Sequence, residues 1–136
     1  MSVPKGQRNH SVLEVQVKGD ELVVHTVRIM ANERTFDPKY QRLADIVLQV
    51  ALDALMCIDE ANDVRVDGDP DRWRERRRLQ ERGIRKLMGL CTLMRVCRRT
   101  YHMRGRKYAY WSGLAKDTLA LARRWRDSDA KRYGHL

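Results

Sequence analysis

A chain of 136 residues has the length of one ordinary domain, so a second independent core is not expected. A hydrophobic share of 43% with a charged share of 34% suits slender amphipathic helices with wide solvated faces, and no apolar run approaches the ~20 residues of a bilayer span. A net charge of +10 in 16.0 kDa points to an anionic partner, nucleic acid foremost, without choosing between RNA and DNA.

The start, MSVPKGQRNHS, lacks the apolar core of a signal peptide, so a cytoplasmic protein is expected. Residues 1–10, polar and basic with Pro4 and Gly6, read as a flexible arm. From Ser11 the pattern Ser11-x-x-Glu14 is a capping box, which satisfies orphan amides at a helix start. Six valines between Val12 and Val27, with Gly19 among them, oppose a helix because β-branched residues and glycine lower helix propensity. A hairpin turning at Gly19-Asp20 is the rival. Leu22, His25, Thr26, Ile29 and Met30 nonetheless fall at helical spacing, which favours a first helix.

Asn32 to Asp37 punctuates the chain, and Asp37-Pro38 supplies a cap followed by proline at the first helical position. The second helix should therefore begin near residue 38. Tyr40, Leu43, Val47, Val50, Ala54 and Ala61 form its seam, with Ile58 beside it. Ile46, Leu48, Leu52, Leu55 and Met56 lie off that seam; they form either a second face buried in a homo-oligomer, the favoured reading because no helix of a four-helix monomer is fully central, or one broad core face with a few exposed leucines.

Asn62 to Asp71 is rich in turn signals, including Asp67-Gly68 and Asp69-Pro70. The third helix should run from Pro70 to His102, with Gly83 and Gly89 as points of kinking or close packing, and Gly105 marking its end. The fourth should run from Lys107 to Asp127 on a seam of Trp111, Leu114, Thr118, Leu121 and Trp125. Residues 128–136 read as a polar tail that frays. The whole of 1–136 is then one all-α domain, an antiparallel up-and-down four-helix bundle.

Projected at ~100° per residue, the third helix gathers Trp73, Leu79, Ile84, Leu87, Leu90, Cys91, Met94, Cys97 and Tyr101 on its core side. Arg74, Arg77, Arg78, Arg85, Arg95 and Arg99 collect opposite, with Arg82 at the edge. Like charges at helical spacing repel, and Glu81 and Glu75 dilute them only in part. The stripe is either a plain solvated face or, as the excess of one sign favours, an anion-binding one, because an anionic ligand would relieve that repulsion and the planar arginine fork fits phosphate. In RRTYHMRGRKYAYW, Arg104, Arg106 and Lys107 continue the charge among Tyr101, His102, Tyr108 and Tyr110. Those rings either stack on unpaired bases or close the end of the bundle.

Catalytic patterns are missing. There is no phosphate-binding glycine loop, no GxSxG, and no cysteine with an evident histidine and acid. Cys57, Cys91 and Cys97 make no CxxC pair, and the four histidines have no zinc-ligand spacing. A non-enzymatic protein without cofactor, metal or small-molecule substrate is expected.

The MSVPK start, the run SVLEV, the segments ANERTFDPKY and ANDVRV, Trp73 followed by LQERGI, the pair Tyr110-Trp111 and the close RWRDSDAKRYG together resemble the accessory variability proteins encoded beside reverse transcriptases in diversity-generating retroelements. The resemblance spans nearly the whole chain. It implies a four-helix bundle assembled as a ring-like homopentamer, a reverse transcriptase as partner, and contact with template RNA or cDNA through a basic surface. That family is similar in fold to the proteins of ribosomal RNA intervening sequences, so other RNA partners stay open. A competing reading is a protein-interaction module whose charge meets an acidic protein. A DNA-binding regulator fits less well, because no short helix-turn-helix is present.

Overall fold

In the computed structural model, which describes residues 5–136, valine and glycine do not interrupt the first helix: α1 runs Lys5–Met30. Tertiary packing decides this. Val15, Leu22 and Thr26 are buried, and buried Gly19 completes a stripe at four- and three-residue steps. A Cβ on Gly19 would stand 2.9 Å from Leu55 Cδ1, so this glycine lets a neighbouring helix come close. The hairpin alternative is excluded. The capping-box expectation at Ser11 and Glu14 also fails, since the helix already starts at Lys5. Residues 5–10 hold no proline, and Lys5, Gln7 and Arg8 are good helix formers. The expected arm over 1–10 is therefore helical from Lys5 on, and residues 1–4 lie outside the described residues.

Asp37 does cap the next element. Its side chain accepts a hydrogen bond from the Lys39 amide at 3.0 Å, and Pro38 opens a short 3-10 turn, Pro38–Tyr40, that leads into α2 (Gln41–Asp63). The buried face of α2 is Ala44, Val47, Ala51, Ala54, Cys57, Ile58 and Ala61. Four alanines on this face bring α2 close to α3 (Pro70–Thr100), where a Cβ on Gly83 would lie 3.4 Å from Cys57 Cβ and Ile58 Cγ1. Between the two helices, Asp67 (φ 47°) and Gly68 (φ 73°) both adopt left-handed backbone, which explains the Asp-Gly pair. Asp69 then caps α3 by accepting from the Asp71 amide at 2.9 Å.

The third helix ends at Thr100, and His102 takes the left-handed conformation (φ 50°) that reverses the chain. Gly105, expected to close the third helix, instead opens α4 (Gly105–Tyr133). The fourth helix is longer than expected at its far end. Asp129 is buried and Tyr133 packs on Trp73 with ring centroids 5.3 Å apart, so residues 128–133 belong to the bundle rather than to a fraying tail.

The result is a four-helix bundle without strands among the described residues. α1 packs on α2 and α4, and α3 packs on α2 and α4. Contacts such as Gln16 to Asp59, His25 to Tyr110 and Arg76 to Asp129 run in opposite directions along their helices, so these neighbouring helices are antiparallel. Trp111 is fully buried at the centre and donates its indole N–H to Thr26 Oγ1 at 2.9 Å. Phe36, from the α1–α2 connection, plugs the adjacent end against Trp111 and Tyr101. No helix among the described residues is long and apolar enough to cross a membrane.

Because α2 meets both α1 and α3, its wide apolar sector is largely used inside the chain. Leu48, Leu52 and Leu55 are half-buried, and only Ile46 and Met56 stand well exposed. The inference from this helix to self-association therefore loses its premise. The longest exposed apolar stripe lies on α1 instead: Leu13, Val17, Val24 and Val27 are each about half exposed and share one face.

Candidate nucleic-acid interface

On α3 the core residues expected from the sequence are buried, apart from half-buried Cys91. That fixes the rotation of the helix and turns Arg74, Arg77, Arg78, Arg82, Arg85, Arg95 and Arg99 to solvent. These side chains are not equally free. Arg74 pairs with Asp71 at 3.0 Å and Arg78 with Glu75 at 2.8 Å, and the hydrogen bond from Arg78 holds the Glu75 carboxyl below its usual range. Such exposed pairs are weak. Arg77, Arg82, Arg85, Arg95 and Arg99 have no ion pair among the described residues.

A groove along the α2–α3 seam gathers Arg78, Arg82, Arg85 and Lys86 beside Val50 and Leu93. Lys86 was not among the expected site residues. Its place one step from Arg85, half-buried at the seam, is set by the rotation of α3 and not by the charge pattern. Across the seam, the α2 acids Asp53 and Glu60 lie close enough to Cys57 to act on it alongside Arg82 and Lys86, so the groove is only partly basic. Gly89 lines its floor, and a Cβ there would meet nothing within 4 Å. Packing does not require this glycine. Gly89→Ala should therefore raise the unfolding free energy by about 0.5–1 kcal/mol, read from urea unfolding; a loss of stability would show that packing does require the glycine.

Toward the α3–α4 turn the charge becomes one-sided. Between Glu81 and Asp117 the chain holds ten Lys or Arg and no Asp or Glu, a signal that helix-by-helix projection hid because the run crosses a turn. Arg104, Arg106 and Lys107 are all exposed there. They stand at the end of the bundle, apart from the α2–α3 groove, so the expected site residues form two groups. Arg95 of α3 and Lys116 and Arg123 of α4 all act on half-buried Cys91, so cations of both helices lie on the α3–α4 side.

The aromatic residues divide between the two roles considered for them. Tyr101 closes the core: it is buried and its hydroxyl donates to the Tyr40 carbonyl at 2.6 Å. Tyr108 is half-buried under the Arg98 guanidinium, 4.8 Å from its centroid. Tyr110 is 61% exposed, edge-on to His25, and offers an open ring face.

One arginine of RWRERRR points inward. Arg76 is buried and donates from Nε to Asp129 Oδ2 at 2.6 Å, while Nη1 reaches the carbonyls of Ala61, Asn62 and Val64. Gln80 adds a second 2.6 Å hydrogen bond to the same carboxylate oxygen, and the guanidinium lies over the Trp125 ring. This cluster ties α2, α3 and α4 together and is structural. Among the thiols, burial pushes Cys97 up to about 12, so it keeps its proton at neutral pH. No three His, Cys, Asp or Glu side chains converge on one point among the described residues. Comparison with protein-family models, curated proteins and solved structures finds no match to this chain.

Proposed function

We propose that this bundle is a non-enzymatic nucleic-acid-binding protein that serves a reverse transcriptase, holding template RNA or its cDNA on a basic surface while the polymerase copies it. The acid-free run from Arg82 to Lys116, displayed on exposed faces of α3 and α4, carries the nucleic-acid part of this reading. An exposed surface with a large excess of positive charge is unfavourable unless counter-charged, and a polyanion supplies more of that counter-charge than Asp53 and Glu60 do across the groove, while releasing its own counterions. Binding to RNA or single-stranded DNA should accordingly weaken linearly in the logarithm of salt, by about 0.7 per phosphate contact. Fluorescence anisotropy across a salt series measures it, and a flat salt response would remove the basic surface from the account.

The polymerase and the assembly come from the sequence resemblance to retroelement accessory proteins. We place the protein in the cytoplasm and infer a ring of five copies. Light scattering should then return five times the 16.0 kDa chain mass, and a monomeric mass would contradict it. Lysine at Val17 and Val24 tests whether the exposed α1 stripe joins the copies: the mass should fall if it does and stay unchanged if another surface does.

A further inference from the structure

At the end of the bundle where α1 stops and α4 begins, two adjoining hollows share Asn32, Thr35, Met103 and Lys107 as common walls. The first, about 330 Å³, is polar and is lined by Arg34, Arg104, Lys107 and His102. The second, about 370 Å³, is more apolar and is lined by His25, Arg28, Ile29 and Met103. Both fall within the ~300–1,000 Å³ range of small-ligand pockets. No carboxylate lines either hollow, and Arg28, Arg34, Arg104 and Lys107 form no ion pair among the described residues.

Three separate segments bring these cations together. Arg34 comes from the α1–α2 connection, where its amide donates to Asn32 Oδ1 at 3.1 Å. Arg104 follows the left-handed His102 of the α3–α4 turn. Lys107 lies in the first turn of α4 and donates to Thr35 Oγ1 at 3.0 Å, which holds its ammonium at the wall between the hollows. Cations that converge with no carboxylate among the lining residues repel one another until an anion joins them, and Asp37 and Asp45, which act on Tyr101 from outside the lining, offset that repulsion only in part. Below them, buried Tyr101 and Met103 close the floor.

We propose that this end of the bundle is a site for a nucleic-acid terminus, in which the polar hollow takes a terminal phosphate and the apolar hollow takes the attached nucleoside. A phosphomonoester carries about −1.5 to −2 charge against −1 for an internal diester, and the three cations that line one hollow match the larger charge. Arg34 and Arg104 supply planar donor forks for its oxygens, and Lys107 supplies a point charge. Across the shared wall, His25, Ile29 and Met103 offer an uncharged, partly apolar surface to a base. Burial and the charge of Arg28 lower the His25 pKa, which keeps that ring neutral at pH 7.

The inference rests on the nucleic-acid reading above, and its test separates the two. Anisotropy is measured on the full chain with one short single-stranded oligonucleotide in three forms: 5′-phosphorylated, 3′-phosphorylated and with both ends free. One phosphorylated form should bind roughly tenfold more tightly than the unmodified one. In Arg104→Gln with Lys107→Gln that preference should vanish, with thermal melting unchanged because both side chains are exposed. Arg82→Glu with Arg85→Glu should weaken all forms in parallel and keep the preference. Adenosine 5′-monophosphate as competitor, against adenosine, separates sources: displacement as strong as by the phosphorylated oligonucleotide would assign the site to free nucleotides, weak displacement to chain ends. Equal affinity of all three forms would overturn the terminus site and leave general nucleic-acid binding intact. No binding of any form would overturn both.

Discussion

Asp129→Ala is expected to destabilise the bundle by about 3–5 kcal/mol, the loss that follows when one partner of a buried ion pair is removed and the other charge stays buried. The Arg76 and Asp129 side chains are 9% and 3% exposed, so water cannot replace the missing carboxylate without opening the end of the bundle. Three backbone carbonyls around the α2 C-terminus would still hold the guanidinium in place. The Gln80 amide would also lose its carboxylate acceptor, and its Oε1 already has no hydrogen-bond partner. For a domain of this size such a loss corresponds to a fall in melting temperature of roughly 10–20 °C. Arg76→Met combined with Asp129→Leu should restore much of that stability, because a well-packed apolar pair needs no desolvation of charge. If the single substitution cost less than about 1 kcal/mol, Asp129 would not be the anchor of α4.

The second large effect concerns binding. Arg82→Glu, Arg85→Glu and Lys86→Glu together are expected to weaken RNA affinity roughly a hundredfold near 0.1 M salt and to reduce the logarithmic salt slope by about 2. Arg82 and Arg85 are exposed and Lys86 is half-buried, so the fold should lose no more than about 1 kcal/mol. Reversing Arg74 should do less, since Asp71 already shares its charge. An equal loss from Arg74→Glu alone would show that the binding surface lies at the start of α3. Unchanged affinity in the triple variant would place nucleic acid away from the α2–α3 groove, on the bundle end or the α4 flank.

The four helices were legible because their apolar residues recur at three- and four-residue steps, a pattern strong enough to outweigh six valines and Gly19 in α1. The cap at Asp37 was legible too, through the Asp-Pro pair that starts the following element, whereas Asp69-Pro70 read only as a turn signal, although Asp69 caps α3 in the same way. Helix ends set by long-range contacts were not legible. α4 continues past Asp127 because Asp129 meets Arg76 and Tyr133 meets Trp73, partners more than fifty residues away. A signal was nonetheless present. Arg76 lies three residues after Trp73 and three before Leu79, and Asp129 lies four after Trp125, so both charges sit on the core stripes of their own helices. Two opposite charges at core positions are best explained by each other. The exposed arginines of α3 followed directly from the core stripe, whereas the cluster at the bundle end needed the fold, because Arg34 meets Arg104 and Lys107 only through the packing of α1 on α4.

If the basic surface serves a reverse transcriptase, as proposed, polymerase and template should travel with this chain. The most direct test is purification of the tagged full-length chain from its native cells, with mass spectrometry of the bound proteins and sequencing of the bound nucleic acid. The account predicts a reverse transcriptase recovered together with one defined RNA, both reduced when Arg82, Arg85 and Lys86 are reversed. Recovery of ribosomal or bulk RNA with no polymerase would contradict it and leave a basic RNA-binding bundle without a retroelement.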